Sequence, residues 1–319
     1  PIHLRHLLAP FSFWRPVAAT LHFTPVSQSE KFAEHLGAFS FGNSITHDFL
    51  AARGSFVLLR PFLLKRVNDM TTIFWAGDST VKQNSIATYP QTGIGQVFDR
   101  YVKRYQVQIE NYAENGRSTK QFIDEGRLAT IYDRIHAGDF LFVQFGHNDE
   151  KASDPARYTD PETDFPANLE RFVNVARNKG ATPVFITPLT RYDRNAPGAQ
   201  FHHDRWAESM RRTAEKLHVA LIDLTAMSEK LVDEQGEAAQ TAYYMNLPAG
   251  IYPHFPLGQH DNTHLQPAGA LAFGGLIAKG LHDLGGEYAA LLCDEYDQWE
   301  KETAQFGQIV TSAAEDVEA

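Results

Sequence analysis

From residue 70 onward the chain alternates short apolar runs with longer amphipathic stretches. Residues 72–76 (TIFWA), 106–112 (QVQIENY), 139–145 (DFLFVQF), 182–187 (TPVFIT) and 219–223 (VALID) are brief and rich in β-branched and aromatic residues. Gly, Asp or Pro bounds each run, as expected of parallel strands covered on both faces. Helical patterns fill the gaps over 94–104, 120–136, 168–179, 204–217 and 267–284. In 168–179, Leu169, Phe172, Val173 and Ala176 share one stripe, and Gly180 follows as a C-terminal cap. Regular β-α alternation predicts an α/β protein whose parallel sheet carries helices on both faces. Ligands of such sheets bind beyond the carboxyl ends of the strands, so the chemistry is expected in the loops that follow them.

Residues 1–69 do not join this alternation. The first methionine is Met70, immediately before the first predicted strand. The 69 residues ahead of it carry seven basic and four acidic side chains, against −10 for the whole chain of 319 residues. Apolar residues cluster over 7–21, but Pro10, Arg15 and Pro16 interrupt them, unlike the apolar region of a signal peptide. The expectation is a domain over 70–319 that starts naturally at Met70, with 1–69 as upstream sequence or a poorly ordered extension. A small accessory helical region is the alternative.

Composition narrows the function classes. With 43% hydrophobic and 21% charged residues the chain reads as an ordinary globular protein, and its acidic balance argues against a nucleic-acid partner. Cys293 is the only cysteine, so neither an intramolecular disulfide nor a cysteine-built zinc site can form. No run of 18 apolar residues predicts a membrane span. A cytoplasmic location is expected, without a membrane partner.

Four short motifs carry candidate chemistry. Gly77-Asp78-Ser79-Thr80 follows the first strand, where a serine at a turn can project its hydroxyl into the ligand crevice. Alone, it reads equally as a helix N-cap. A serine hydroxyl needs an imidazole to take its proton, and the imidazole needs a carboxylate to fix its tautomer. Asp261-Asn262-Thr263-His264 supplies both, though by itself it is also an ordinary turn. Asn115-Gly116-Arg117-Ser118 and Gly146-His147-Asn148-Asp149 follow the second and third strands. A backbone N–H near Gly116 and the amide of Asn148 suit an oxyanion hole; separately, both segments read as turns. Nucleophile, oxyanion donors, acid and base thus fall in successive crevice-facing loops of one sheet.

With these four blocks in view, the chain resembles the SGNH (GDSL-type) hydrolases, matched by Ser79, Gly116, Asn148 and His264. The stretches AGDSTV, NGRSTKQFIDEGR, DFLFVQFGHNDEK and DNTHLQPAGA are most similar to the rhamnogalacturonan acetylesterase branch. GDST in place of GDSL departs at the residue after the serine and mildly disfavours the lipase-like members. The resemblance implies a flavodoxin-like, three-layer α/β/α sandwich around a five-stranded parallel sheet. It also implies an acetylesterase that needs no metal or other cofactor and acts on an acetylated oligo- or polysaccharide. Ser79, Asp261 and His264 would be its triad. The backbone N–H groups of Ser79 and Gly116 and the side chain of Asn148 would form the oxyanion hole.

Other features are read more loosely. Arg117 and Arg191 follow strand-end motifs and could meet a uronate carboxylate, or be solvated surface residues. His147 borders Asn148 and either shapes the pocket or packs its loop. His202-His203-Asp204 lacks the spacing of a zinc helix, and Gly93-x-Gly95 is too short for a dinucleotide fingerprint. Among Tyr192, Trp206, Tyr243, Tyr244, Tyr252 and Phe255, one or two could stack on sugar rings. The irregular stretch 241–259 is expected to be a binding loop. An acidic enzyme facing an acidic polysaccharide would repel it at low salt, unless local arginines intervene or the substrate is neutral. A short-chain lipase or thioesterase is the competing enzyme reading. A carbohydrate-binding or flavodoxin-like cofactor-binding protein is the non-catalytic one.

Overall fold

The computed structural model describes residues 70–192 and 204–294. The expected extension over 1–69, together with His202 and His203, lies outside these residues. Five strands form the sheet: β1 (Thr71–Gly77), β2 (Val107–Asn111), β3 (Phe140–Gln144), β4 (Thr182–Ile186) and β5 (Ala220–Ile222). All neighbouring pairs run parallel, in the order β2-β1-β3-β4-β5. Each predicted strand is present; β1 extends one residue beyond the expected run at each end, and the other four are shorter by one or two residues.

Strand periodicity divides the core in two. Ile73, Trp75, Phe140, Phe142, Val184, Ile186 and Ile222 pack on one face of the sheet. Phe74, Ala76, Leu141, Val143 and Phe185 pack on the other. Successive side chains of a strand point to opposite faces, so a continuous apolar run such as TIFWA serves both layers at once. Trp75, fully buried, meets Phe98 and Phe142 edge-on at centroid distances of 5.5 and 5.2 Å. The result is the expected three-layer α/β/α sandwich.

The helices are α1 (Ile94–Val97), α2 (Thr119–Asp124), α3 (Arg127–Arg134), α4 (Asp164–Asn178), α5 (Asp204–Leu217), α6 (Leu224–Gln235), α7 (Ala238–Tyr243), α8 (Pro267–Leu284) and α9 (Gly286–Ala289). α5 and α8 have the predicted bounds. The helix expected over 94–104 is shorter, giving way at Phe98 to a 3-10 turn. The one expected over 120–136 is two helices, broken at Gly126 with φ 75°. α4 begins a turn early because Pro166 lies in its first turn, where an N–H is not needed. It ends as predicted: Gly180 N–H donates to Arg177 O (3.0 Å) and Ala181 N–H to Ala176 O (2.9 Å), a Schellman closure. α6 was not expected. Asp223, read as the end of a strand, instead caps it by accepting from Ala226 N–H. Among the described residues no helix is long and apolar enough to cross a membrane.

Strand order reverses direction between β1 and β3, which opens a crevice beyond their carboxyl ends. The loops after β1, β2 and β3 all end there.

Candidate active site

The serine expected at a strand-to-helix turn sits instead at a tight turn leading into irregular chain. Val81 and Lys82 N–H donate to Asp78 O (3.2 and 3.1 Å), and α1 starts only at Ile94. Asp78, fully buried, fixes this turn through Oδ1, which accepts from Thr80 N–H (2.9 Å) and the Thr80 hydroxyl (2.8 Å). That second bond gives a physical role to the threonine of GDST. α1 braces the turn from outside: Ile94 N–H donates to Thr80 O (2.8 Å) and Gly95 N–H to Val81 O (3.1 Å). A Cβ on Gly93 would lie 2.1 Å from Lys82 O, so only glycine permits this approach. Gly93 and Gly95 therefore serve packing behind Ser79.

Ser79, His264 and Asp261 meet, although 185 residues separate the first two. The Ser79 hydroxyl lies 2.9 Å from His264 Nε2, and His264 Nδ1 lies 2.6 Å from Asp261 Oδ2. The carboxylate accepts from Nδ1–H, which leaves Nε2 free to accept from the serine. Asp261 Oδ1 also accepts from the N–H groups of Thr263 (2.9 Å) and His264 (3.0 Å), closing the turn that carries the pair. Burial of Asp261 opposes its charge. The His264 ring and these two amides outweigh burial and hold the carboxyl well below the usual carboxylate range.

The stretch expected to bind ligand holds this turn instead. Met245 N–H donates to His264 O (2.9 Å), and Asn246 Nδ2 reaches Asp261 O (3.2 Å) and Asn262 Oδ1 (2.8 Å). No residue of 241–259 lines the pocket. Of the aromatics singled out, Tyr192, Trp206 and Tyr244 are buried in packing, while Tyr252 meets Tyr89 at 6.0 Å between ring centroids.

The loops after β2 and β3 are tied to each other. Asn148 Nδ2 donates to Arg117 O (3.2 Å), which leaves its second N–H available. Gly116, at φ 74°, adopts a backbone conformation that favours glycine. Asp149 is fully buried and receives Thr119 N–H (3.0 Å) and the Thr159 hydroxyl (2.9 Å), so it anchors the start of α2. Burial pushes its carboxyl up to about 7, although these donors oppose the shift.

These loops enclose a cavity of about 370 Å³. Ser79, Gly116, His147, Asn148, Arg191, Asp261 and His264 line it, as do Asn115 and Thr263 of the same motifs and three residues not singled out in the sequence: Gln91, Lys151 and Arg157. No apolar side chain is among them. His147 is engaged on both ring nitrogens, with Asp78 Oδ2 at 3.2 Å and Leu189 O at 3.0 Å. Arg117 does not line the cavity; its guanidinium is turned to Glu125 (2.9 and 3.0 Å) and Asn115 O (2.7 Å). Lys151 could have been noticed as a cation three residues past Asn148. Arg157 has no such signal, because only the fold returns it to Gly116.

A parallel sheet with these four loops at one edge defines an ester hydrolase of the SGNH type. Residues 75–272 match the GDSL-like lipase/acylhydrolase family, and the chain belongs to it. Over 217 residues the chain is 36% identical to the rhamnogalacturonan acetylesterase RhgT of Bacillus subtilis (strain 168), an alignment covering 67% of this chain and 90% of RhgT. It is 38% identical over 215 residues to the probable rhamnogalacturonan acetylesterase YesY of the same organism, covering 67% and 93%. The crystal structure of protein YxiM from Bacillus subtilis shares the fold, with a TM-score of 0.57 at 24% identity, over 68% of this chain and 57% of that one.

Proposed function

We propose that this protein hydrolyses acetyl esters on carbohydrate, rhamnogalacturonan or its oligosaccharides, through an acetyl-serine intermediate. The observation that carries the reading is the continuous contact from Ser79 Oγ through His264 to Asp261 at the cavity wall. His264 Nε2 takes the Ser79 proton as Oγ attacks the acetyl carbonyl carbon. The backbone N–H groups of Ser79 and Gly116 and the amide of Asn148 meet the oxyanion. The bond to the sugar oxygen then breaks, and His264 returns the proton to that oxygen. Water, deprotonated by His264, attacks the acetyl-serine and releases acetate, restoring Ser79.

The cavity lining favours this reading over a lipase. A longer acyl chain needs apolar wall, and none of the lining side chains is apolar. The sugar class rests on the names of the two Bacillus relatives. We carry the cytoplasmic location as part of the same proposal, and recovery of the protein outside the cell would overturn it. A chain-length series of 4-nitrophenyl esters tests the acyl preference. Turnover should fall sharply beyond acetate; a maximum at octanoate would restore the lipase reading. Acetate release from acetylated rhamnogalacturonan should exceed release from acetylated xylan.

A further inference from the structure

In the proposed reaction the acetyl oxygen is held by the loops after the first three strands, while His264 returns its proton to the sugar oxygen. The departing sugar therefore has to lie on the His264 side of Ser79. That side is a neutral wall. Thr92 N–H donates to Leu265 O (2.9 Å), which sets Gln91 beside the turn of Thr263 and His264. Gln91 and Thr263 both line the cavity. Neither side chain has a hydrogen-bond partner among the described residues.

Two tyrosines adjoin this wall without lining the cavity. Gln91 N–H donates to Thr88 O (2.8 Å), so Tyr89 and Pro90 form the corner of a turn. Tyr89 is 48% exposed at that corner, its Cα within about 7 Å of that of Gln91. Its ring meets the ring of Tyr252 at 6.0 Å between centroids, tilted by 60°. Tyr252 belongs to a loop closed by reciprocal bonds between Leu247 and Gln259 (2.9 and 3.0 Å), two residues before Asp261. The pair thus ties the segment that carries Gln91 to the segment that leads into the Asp261–His264 turn.

We propose that Tyr89 and Tyr252 form an aromatic subsite for the sugar unit next to the acetylated one, so that the enzyme prefers an acetylated oligosaccharide to the same acetylated sugar alone. This rests on the acetylesterase reading above and adds the length of the substrate to it. The free amide of Gln91 and hydroxyl of Thr263 meet hydroxyls of the acetylated ring. The C–H face of the neighbouring ring then covers a tyrosine face, its own hydroxyls staying in water at the edge. Tyrosine offers large contact area with only two side-chain torsions to fix, and each ring here is already braced by the other. The mixture of phenol rings with an unpartnered amide and hydroxyl suits a ring that is apolar on its faces and polar at its rim. An acyl chain would leave those polar groups unmatched.

The test follows acetate release from acetylated galacturonic acid, offered as its methyl glycoside and within a rhamnogalacturonan tetrasaccharide. In the wild-type protein kcat/KM should favour the tetrasaccharide by roughly tenfold or more. In Tyr89→Ala and in Tyr252→Ala that ratio should fall toward one; a ratio cancels any general loss of activity. Tyr89→Phe keeps the ring and should keep the preference. Equal turnover of both substrates by wild type would overturn the subsite and leave the esterase reading standing. Full preference in both alanine variants would also reject it, as would a Tyr89→Phe ratio as low as that of Tyr89→Ala. A dimer in sedimentation that Tyr89→Ala dissociates, with the preference intact, would assign this face to a second copy of the chain instead. Hydrolysis of 4-nitrophenyl acetate with neither sugar ester touched would remove the carbohydrate reading and the subsite together.

Discussion

Two histidine–aspartate pairs border the same cavity. In His147–Asp78 the nitrogen and oxygen are 3.2 Å apart and the side chains only 3% and 1% exposed; in His264–Asp261 they are 2.6 Å apart and 32% and 20% exposed. The difference lies in the far ring nitrogen. His147 Nε2 faces the carbonyl of Leu189, which can only accept, so the ring staples the loops after β1, β3 and β4. His264 Nε2 faces the hydroxyl of Ser79, which can give up a proton. The same residue types thus make a fixed brace in one place and a proposed general base in the other, according to what the second nitrogen meets.

The largest expected effect separates the pairs by activity. His264→Ala should lower kcat on 4-nitrophenyl acetate by about 10⁴-fold or more with little change in melting temperature. Retained turnover would erase the distinction. Asp261→Asn should come next, with a loss of roughly 10⁴-fold, because an amide no longer selects the tautomer that leaves Nε2 free. The stability contributed by ionised Asp261 is present above its unfolded value. It is lost only as pH falls through its depressed folded value, so an acid titration of wild type against Asp261→Asn checks that sign.

His147→Ala should act on stability. Asp78 would be left buried without its partner, at about 3–5 kcal/mol in urea denaturation. A variant of unchanged stability would show that the staple is idle. Removing the amide with Asn148→Ala should cost about 10²–10³ in kcat, with smaller change in KM. The smallest effect is a slope. Burial raises the Asp149 carboxyl from 3.8 to about 7, so the folded state keeps that proton longer than the unfolded chain. Its contribution is full below 3.8 and is lost as pH rises through about 7. Asp149→Asn should flatten that decline in thermal melts; an unchanged slope would place the titration elsewhere.

Much of the fold was legible because the strands are covered on both faces. TIFWA and DFLFVQF have no polar alternation to confuse the period, and the Gly180 closure ends α4 where a glycine should. Legibility failed where a local sign had two meanings. Asp223 looked like the end of a strand and is a helix cap. Gly126 breaks a stretch whose apolar spacing continues across it. Within the cavity, Ser79, Asn148, Asp261 and His264 stood out because each sits in a motif whose residue types suit one chemistry. Arg117 misled, since its neighbour Glu125 lies within reach only once α2 has formed.

What the linear chain determined was the set of strands, the layer architecture and the polar groups available to the loops, since periodicity and turn chemistry are local properties. Which charges stay available was decided only in three dimensions. Arg117 is taken by Glu125, Arg191 by Glu150 and Arg157 by Asp154, while Lys151 is left facing the cavity. Arg157 and Asp154 stand only three residues apart. The Arg191–Glu150 pairing, however, depends on a distance between two loops that no spacing along the chain encodes, and electrostatic energy falls off with such distances.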